Sequence, residues 1–384
     1  MTQVQKIYLA SFLKNQTYFV PIIIIFFQTF GLTYSEIFWI FTIGSVFSFL
    51  IEIPTGIFAD LYGKRLSIII SKFLIFIAFI AFGFSFGFWS LILANLLYEL
   101  GKSFRSGTET AYVYDYLLEN PRGPSYTTVK ANQKFYARVS ESIGTAIGGL
   151  IAVRYGFEWA FLVAAVPALI NFIQSLTWSP ITENSEKFTF AGRLKFAADA
   201  FQEIYQHKIL RRLIINIILF SSVFFALEKF VQPYMVTVGV PLEYFGFIYS
   251  GFLIVVAFLV RYVSRLEDRF GGITVLNYLT VISFLPILIL GLGYSSIVGV
   301  ILFFFVLMVD NIRSPIENSV FHDFISSKNR ATMGSILELF TSSAKLIVLP
   351  ITGYLADFYS MSVAILILSL VVLFNGTIFW LTKK

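Results

Sequence analysis

Cysteine is absent from the 384-residue chain, and histidine occurs only at His207 and His322. The absence of thiols excludes disulfides, cysteine nucleophiles and cysteine-ligated metals, and two histidines are too few for a histidine-rich metal site. Charged residues are also scarce, at 13% of the chain, whereas a soluble domain carries about 25%. The sequence contains no nucleophile–base set, metal cluster or phosphate-binding loop, so we do not expect an enzyme.

Apolar residues dominate the chain instead. They make up 57% of it and include 45 phenylalanines, and the mean hydropathy is +0.81. This composition indicates an integral membrane protein. The net charge of +6 is carried by loops between apolar runs, which is typical of membrane topology rather than of nucleic-acid binding. Lys14, Asn15 and Gln16 interrupt the first apolar run, so we expect no cleavable signal peptide.

The apolar runs predict an all-α protein with twelve transmembrane helices, because each span needs about 20 residues. The predicted spans are 6–31, kinked at Pro21, then 35–59, 67–86, 88–117, 134–153, 157–178, 209–237, 243–263, 272–293, 296–325, 332–355 and 360–381. Lysine and arginine concentrate in the loops on one side, and the opposite loops carry Arg154 alone. The positive-inside rule therefore predicts that both termini are cytoplasmic.

Residues 179–208 form the only long polar connection between these runs. Phe190, Leu194, Ala197 and Phe201 recur there at helical spacing, which predicts an amphipathic helix lying in the cytoplasmic interface. We interpret this linker as the joint between two six-helix bundles, residues 1–178 and 209–384.

The two bundles resemble each other in sequence at a shift of 208 residues. Polar matches at one offset indicate two parallel repeats related by an axis along the membrane normal. The matched residues are Gly31 with Gly239, Asp60 with Asp268, Gly63 with Gly271, Arg105 with Arg313, Ser106 with Ser314, Glu109 with Glu317, and Asp115 with Asp323.

One short loop between the second and third predicted spans is dense in polar residues. It reads Gly56-Ile-Phe-Ala-Asp60-Leu-Tyr-Gly63-Lys64-Arg65. Gly63 permits a tight reversal, and Lys64 and Arg65 favour the cytoplasmic face. The pattern resembles the signature loop of the major facilitator superfamily of secondary transporters. The resemblance implies twelve spans in two pseudo-symmetric bundles, with alternating access around a central site. It also implies that Asp60 approaches the N-terminus of the eleventh helix when the inner gate closes.

Several charged residues lie well inside predicted spans, where each costs about 2.5–3.5 kcal/mol on insertion scales. Such side chains should face the interior of a bundle and find partners. Arg105 and Glu109 are four residues apart and share one helix face, and Arg313 and Glu317 repeat the arrangement. Each pair is either a structural clamp or a pair that opens, so that the released carboxylate takes up a proton. The candidate substrate and proton-coupling residues are Arg105, Glu109, Arg138, Glu141, Glu228, Asp310, Arg313 and Glu317.

A second set of residues is expected to form the cytoplasmic gate. Glu52 precedes Pro54 at the inner end of the second span, and Asp115 and Asp323 lie near the cytoplasmic ends of their helices. The candidate gate residues are Glu52, Gly56, Asp60, Gly63, Lys64, Arg65, Asp115, Asp268, Gly271 and Asp323.

Two further stretches resemble motifs of proton-coupled exporters in this superfamily. Arg105 with Gly107 is similar to the fourth-helix arginine motif. The run from Ser140 to Gly149 is similar to the fifth-helix motif G-x-x-x-G-P-x-x-G-G of the antiporter branch, with Ser140 and Thr145 in place of its first Gly and its Pro. These resemblances imply a drug:proton antiporter.

The sequence therefore predicts a secondary active transporter that exports a small amphipathic compound by proton antiport. The alternative is a proton-coupled symporter that imports a small anion, zwitterion or nutrient. We expect a small-molecule substrate and the lipid bilayer as partners, no nucleic acid, no cofactor beyond the proton as coupling ion, and a monomer. The expected location is the cytoplasmic membrane of a bacterium.

Overall fold

The computed structural model describes residues 1–182, 208–293, 296–323 and 330–380, with the backbone alone described at 322–323, 330–336, 338–339 and 378–380. The described residues form helices and no strand. Most of the predicted interfacial helix of the linker lies outside the described residues.

The first half of the chain contains eight helices in the described residues. They are α1 (Gln3–Lys14), α2 (Ile23–Thr29), α3 (Tyr34–Tyr62), α4 (Lys64–Gly83), α5 (Phe88–Arg105), α6 (Thr108–Glu119), α7 (Tyr126–Tyr155) and α8 (Phe157–Ser175).

The second half continues with seven α-helices in the described residues. They are α9 (Lys208–Thr237), α10 (Phe245–Leu259), α11 (Val263–Phe270), α12 (Gly272–Gly291), α13 (Ile297–Asp323), α14 (Arg330–Phe358) and α15 (Met361–Trp380). Short 3₁₀ turns at Leu242–Tyr244 and Val260–Tyr262 flank α10.

Seven helical stretches of the described chain are long and apolar enough to cross a membrane. They are Tyr34–Tyr62, Lys64–Gly83, Phe157–Ser175, Lys208–Thr237, Leu242–Phe270, Gly272–Gly291 and Ile297–Phe321. Twelve spans therefore remain a prediction.

Two of the predicted spans are not continuous helices. The first, 6–31, is wrong as a single helix, because α1 ends at Lys14 and α2 begins at Ile23. The fourth, 88–117, is broken between α5 and α6, where Gly107 has a φ of +68°. A positive φ lies outside the right-handed helical region and is readily adopted by glycine. This second break determines the geometry of the charged residues described below.

The described residues divide into two compact units. Unit 1 contains Met1–Leu32, Pro241–Leu253 and the stretch from Ile43 to Thr182, and unit 2 contains Thr33–Thr42 and most of the second half. The first turns of α3 thus group with unit 2, and the start of the α10 region groups with unit 1. The predicted bundles 1–178 and 209–384 follow chain order, and that boundary stays a prediction.

The start of α3 is capped by two carboxylates. Asp357 accepts hydrogen bonds from the backbone nitrogens of Tyr34 and Ser35 at 2.8 and 2.7 Å, and Glu36 accepts one from the Thr33 nitrogen at 2.9 Å. The first N–H groups of a helix have no partner within it, so these carboxylates fix where α3 begins.

Aromatic and small residues build the interior of unit 1. Phe161 is fully buried, and its ring lies 4.8 Å from Phe19, 4.8 Å from Phe26 and 4.9 Å from Phe82, between ring centroids. At Gly101 an added Cβ would lie 2.8 Å from Ile75. The glycine therefore lets α5 approach α4 closely, and this approach places the α4 side chains near the α5–α6 break.

In unit 2, α9, α12 and α13 share an aliphatic core. Leu213 and Ile217 of α9 pack with Leu276 of α12 and Ile316 of α13, and all four are buried. This packing positions the buried polar side chains of the same helices.

Glycines matched by the predicted repeat adopt the same unusual backbone conformation. Gly31 and Gly239 have φ of +75° and +77°, and Gly63 and Gly271 have φ of +103° and +78°. Each therefore occupies a reversal that an L-residue adopts only under strain, and this agreement supports the predicted repeat.

Candidate functional site: two clusters of charged residues

In unit 1, Glu109 and Lys14 form an ion pair that links α6 to α1. The Lys14 Nζ lies 3.1 Å from the Glu109 Oε2, and the two side chains are 32% and 12% exposed. Lys14 is in the last turn of α1 and Glu109 is in the first turn of α6. Both positions suit the charges they carry, because a helix favours cations at its C-terminus and anions at its N-terminus.

The predicted Arg105–Glu109 pair is not formed. Arg105 is the last residue of α5, and the positive φ of Gly107 separates it from α6. The two residues therefore do not lie on one continuous helix. In the described part of the chain, the nitrogens of Arg105 do not come within 4.0 Å of the Glu109 carboxylate, although Arg105 still acts on it electrostatically.

A third cation near Glu109, Lys72 of α4, was not among the residues singled out from the sequence. Its side chain is 5% exposed, and its Nζ has no hydrogen-bond partner among the described residues. The Nζ lies 3.9 Å from the ring centroid of Trp178. A sequence signal existed, since Lys72 is the one charged residue between Arg65 and Glu99.

The cluster in unit 1 is therefore unbalanced in charge. One carboxylate, Glu109, interacts with Lys14, Lys72 and Arg105, and Lys14 acts on it most strongly. Two unit charges 4 Å apart interact by about 4 kcal/mol at an effective dielectric constant of 20. Such an arrangement attracts a further anionic group.

In unit 2, Arg313 is fully buried, and each nitrogen of its guanidinium group donates a hydrogen bond. Its Nε donates to Glu317, and its Nη2 donates to Asn216. Its Nη1 donates to Thr280 and, at 3.1 Å, to the carbonyl oxygen of Leu276. The guanidinium thus uses nitrogens on three sides, which a planar fork with five donors allows.

Neighbouring side chains hold these partners in place. The Asn216 amide donates to the Asn375 side chain at 3.0 Å, and the Asn375 amide donates to the Asn216 backbone oxygen at 3.1 Å. The Arg313 Cζ lies 3.7 Å from the ring centroid of Phe220. Arg313 is therefore fixed by α9, α12, α13 and α15 together.

Further charges of unit 2 surround this pair. Asp310 lies one turn before Arg313 and interacts electrostatically with Arg313, Glu317, Glu228 and Lys345. Glu228 lies 3.5 Å from the Nζ of its neighbour Lys229. Lys229 and Lys345 both approach the Phe225 ring, at 4.6 and 4.5 Å. Among the side chains that the structure describes, carboxylates and cations are equal in number here, unlike in unit 1.

The remaining predicted coupling pair, Arg138 and Glu141, is a local ion pair on α7. The Arg138 Nη1 lies 2.8 Å from the Glu141 Oε2, and the side chains are 55% and 26% exposed. The pair is not brought into contact with Glu109.

Among the predicted gate residues, the signature loop is tied to two helix ends of unit 1. Lys64 forms an ion pair with Asp115 at 2.5 Å, and the Arg65 Nη2 donates to the Leu176 oxygen at 2.6 Å. The Ser106 hydroxyl, at the α5–α6 break, donates to Glu52 at 3.1 Å. The structure thus connects Glu52 with the break that separates Arg105 from Glu109.

The other predicted gate residues lie on α3, α11 and α13 or at reversals between helices. Asp60 and Asp268 are exposed on α3 and α11, Gly56 lies within α3, and Gly63 and Gly271 form the reversals before α4 and α12. Asp323 ends α13, and its side chain lies outside the described residues.

Long apolar helices, one of which carries the buried Arg313–Glu317 ion pair, are typical of membrane proteins with a functional interior. Residues 7–312 match the family model of the Major Facilitator Superfamily. The chain belongs to this superfamily, and the protein is a multi-pass membrane transporter.

Individual relatives agree with this assignment. An uncharacterized MFS-type transporter, MJ1560, of Methanocaldococcus jannaschii is 22% identical over 267 residues, which cover 69% of this chain and 67% of that protein. The crystal structure of the nucleoside transporter NupG superposes with a TM-score of 0.82 at 15% identity over 100% of both chains. A POT family transporter in complex with 5-aminolevulinic acid gives a TM-score of 0.76 at 15% identity, covering 98% of this chain and 95% of that one.

Proposed function

We propose that this protein is a proton-coupled symporter for a small anionic or zwitterionic solute, working by alternating access. The observation that carries the proposal is the cluster in which Glu109 interacts with Lys14, Lys72 and Arg105. The proton is the coupling ion and no other cofactor is involved.

The charge of the substrate follows from the charge of this cluster. Cations removed from water are stable only when anionic groups compensate them. Glu109 compensates one of the three, so the unbalanced positive charge favours a carboxylate, a phosphate or another anionic group. Lys14 is the cation best placed to bind it, because its side chain is partly exposed.

The direction of coupling follows from competition for Lys14. A substrate anion that draws Lys14 away leaves the Glu109 carboxylate without its ion pair in a poorly hydrated site, where the neutral form is favoured. Glu109 then takes up a proton. By thermodynamic reciprocity, protonation of Glu109 frees Lys14 and strengthens anion binding. Proton and anion therefore load together, which is symport.

Arg313 and Glu317 have a different role in this proposal. The partners of Arg313 among the described residues are all groups of unit 2, and releasing Arg313 would remove its hydrogen bonds to buried polar atoms. We assign the pair as a structural clamp, so that proton coupling depends on Glu109 alone.

Export of a lipophilic cation by proton antiport is the second candidate. The surroundings of Lys229 favour it, because this cation already lies against the rings of Phe41 and Phe225 and beside Glu228, and carboxylates and aromatic faces both attract cations. A cation would compete with the proton for a carboxylate, and the two would then move in opposite directions.

The test is proton movement in proteoliposomes that contain a pH-sensitive dye. Purified full-length protein would be exposed to organic anions, zwitterionic amino acids and lipophilic cations. Wild type would be compared with Glu109→Gln and with Glu158→Gln, a control at an exposed carboxylate in the first turn of α8. We expect an anion or zwitterion to carry protons in its own direction, with the flux lost in Glu109→Gln and kept in Glu158→Gln. A lipophilic cation moving against the proton flux would instead establish the antiporter, and solute movement without proton flux would overturn both.

A further inference from the structure

We propose that Lys72 is the fixed counter-charge of Glu109, a positioning residue that helps the coupling carboxylate release its proton once the substrate has gone. This inference deepens the proposed function and rests on it. The observations that carry it are the burial of Lys72, its contact with Trp178, and the packing of Trp178 against Tyr112, which lies one turn from Glu109 on α6.

The contacts of Lys72 do not by themselves offset the free-energy cost of burying its charge. The side chain lies in α4 with 5% exposure, and its Nζ has no hydrogen-bond partner in the described part of the chain. The face of Trp178 at 3.9 Å provides a cation–π contact, worth about 2 kcal/mol when desolvated. Burial of an ammonium group costs several kcal/mol, and a nearby anion stabilises its charged form.

Glu109 is that anion, and the packing around Trp178 places the two on the same side of the unit. Tyr112 follows Glu109 by three residues on α6, so the two share a helix face. The Tyr112 ring lies 5.0 Å from Trp178, between centroids, and Trp178 also carries the Lys72 contact. Lys72 acts on Glu109 second only to Lys14 among the cations.

Trp178 itself is held in a rigid position, which fixes where the Lys72 side chain lies. Trp178 is 2% exposed, and its Nε1 donates to Gln174 at 3.2 Å. The Tyr112 hydroxyl donates to the Ser179 oxygen at 2.6 Å and accepts from the Gln3 side chain at 3.1 Å. Hydrogen bonds therefore fix both Trp178, which contacts Lys72, and Tyr112, which packs against Trp178.

Lys14 and Lys72 thus differ in their freedom to move. Lys14 ends α1 and is partly exposed, so a substrate anion can attract it. Lys72 is enclosed and cannot follow the substrate. When Lys14 leaves and Glu109 takes up a proton, Lys72 remains beside it and favours the ionised carboxylate. The proton can then be released once the substrate has gone.

The other charges facing Glu109 do not replace Lys72. Arg105 of α5 acts on Glu109 less strongly than Lys72 does, and Lys130 of α7 donates to Thr110 at 3.1 Å. Lys134 of α7 is exposed. Loss of the Lys72 charge would therefore make Glu109 hold its proton to higher pH, because one fewer cation favours the ionised form.

The experiment compares net proton-coupled uptake with substrate exchange at equal concentrations on both sides. Exchange returns the protonated carrier with substrate bound, so it does not require release of the proton. The variants are Lys72→Met, which removes the charge, Lys72→Arg, which keeps it, and Lys102→Met. Lys102 pairs with Glu99 at 2.9 Å on α5 and serves as the matched lysine control. The substrate is the anion or zwitterion that drives protons through the wild type.

We expect Lys72→Met to lose net uptake about tenfold, with exchange retained and the pH midpoint of uptake raised by about one unit. Lys72→Arg and Lys102→Met should resemble wild type. An equal loss of uptake and exchange in both Lys72 variants, or no change in Lys72→Met, would overturn the proposal.

If Lys72→Met does not fold, the pH profile of uptake by Trp178→Leu provides the test. Loss of the ring frees the lysine side chain, so the pH midpoint of uptake should move in the same direction. Absence of anion–proton symport in the wild type would refute the proposed function instead.

Discussion

The two halves of the chain carry the same Arg–Ser–x–x–Glu arrangement, and the structure uses the two copies in opposite ways. Arg313 and Glu317 form a buried ion pair within the continuous helix α13, whereas Arg105 and Glu109 are separated and Glu109 pairs with Lys14. Two of the three residues between the charges differ: Gly107 and Thr108 in one copy, Pro315 and Ile316 in the other.

The exchange of Gly107 for Pro315 accounts for the divergence. Gly107 adopts a φ of +68° and ends the helical run, so Glu109 begins a new helix that faces α1. Proline fixes φ near the helical value, and α13 continues through Pro315 despite the lost donor. A pair on one helix is clamped, and a pair divided by a break can exchange partners.

The largest effect on stability is expected when the Arg313–Glu317 ion pair is broken. Arg313→Ala should lower the free energy of unfolding by about 3–5 kcal/mol, because it leaves Glu317 as a buried uncompensated charge. Arg105→Ala should cost less than about 1 kcal/mol, as for a partly exposed charge that forms no ion pair with the residues that the structure describes. Denaturant unfolding of the detergent-solubilised protein measures both, and equal losses would contradict the comparison.

The second prediction separates the carboxylates by function. Glu109→Gln should reduce proton-coupled uptake by at least about tenfold, because the neutral amide cannot take up the coupling proton. Glu317→Gln should lower thermal stability, and the folded fraction should keep its ratio of protons to substrate. Transport stoichiometry in proteoliposomes provides the measurement. Loss of coupling in Glu317→Gln alone would reverse the assignment.

The third prediction concerns the break itself. Gly107→Ala should cost about 1–2 kcal/mol, the strain of an L-residue at positive φ, because an added Cβ at Gly107 meets nothing within 4 Å. The strain favours a continuous helix and an Arg105–Glu109 pair, so coupled uptake should fall as well. Pro315→Ala, the matched change, should leave uptake unchanged. Unfolding and uptake measured on both variants check this, and a neutral Gly107→Ala would show that the break does not matter.

The smallest effect is expected at the exposed pair on α7. Arg138→Gln should change stability by less than about 0.5 kcal/mol, since solvent screens an i,i+3 pair whose arginine is largely exposed. The same residue types are thus stabilising only where they are enclosed. A thermal unfolding midpoint shifted as far as that of Arg313→Ala would refute this.

The sequence predicted those features that depend on local spacing. The signature loop with Gly63, Lys64 and Arg65 led to the superfamily, and the i,i+4 spacing of Arg313 and Glu317 led to their shared face. The matched glycines of the repeat indicated equivalent reversals. Each of these follows from short stretches of chain whose geometry is set by the backbone.

Features that depend on packing between helices were not predictable. The pairing of Lys14 with Glu109 joins residues that are far apart in the chain, and their contact depends on how α1 and α6 pack. Glycine is compatible with both signs of φ, so the presence of Gly107 alone did not predict that the helix is broken there. Lys72 stood alone in an apolar run, and its partner became visible only when Trp178 and Tyr112 were placed around it.

The measurement that tests the central claim most directly is proton uptake by the purified protein when substrate is added in weakly buffered detergent solution. We predict that wild type and Glu317→Gln each take up protons on binding the substrate anion, and that Glu109→Gln takes up none. Proton uptake that persists in Glu109→Gln and disappears in Glu317→Gln would contradict the account, because the coupling carboxylate would then lie in unit 2.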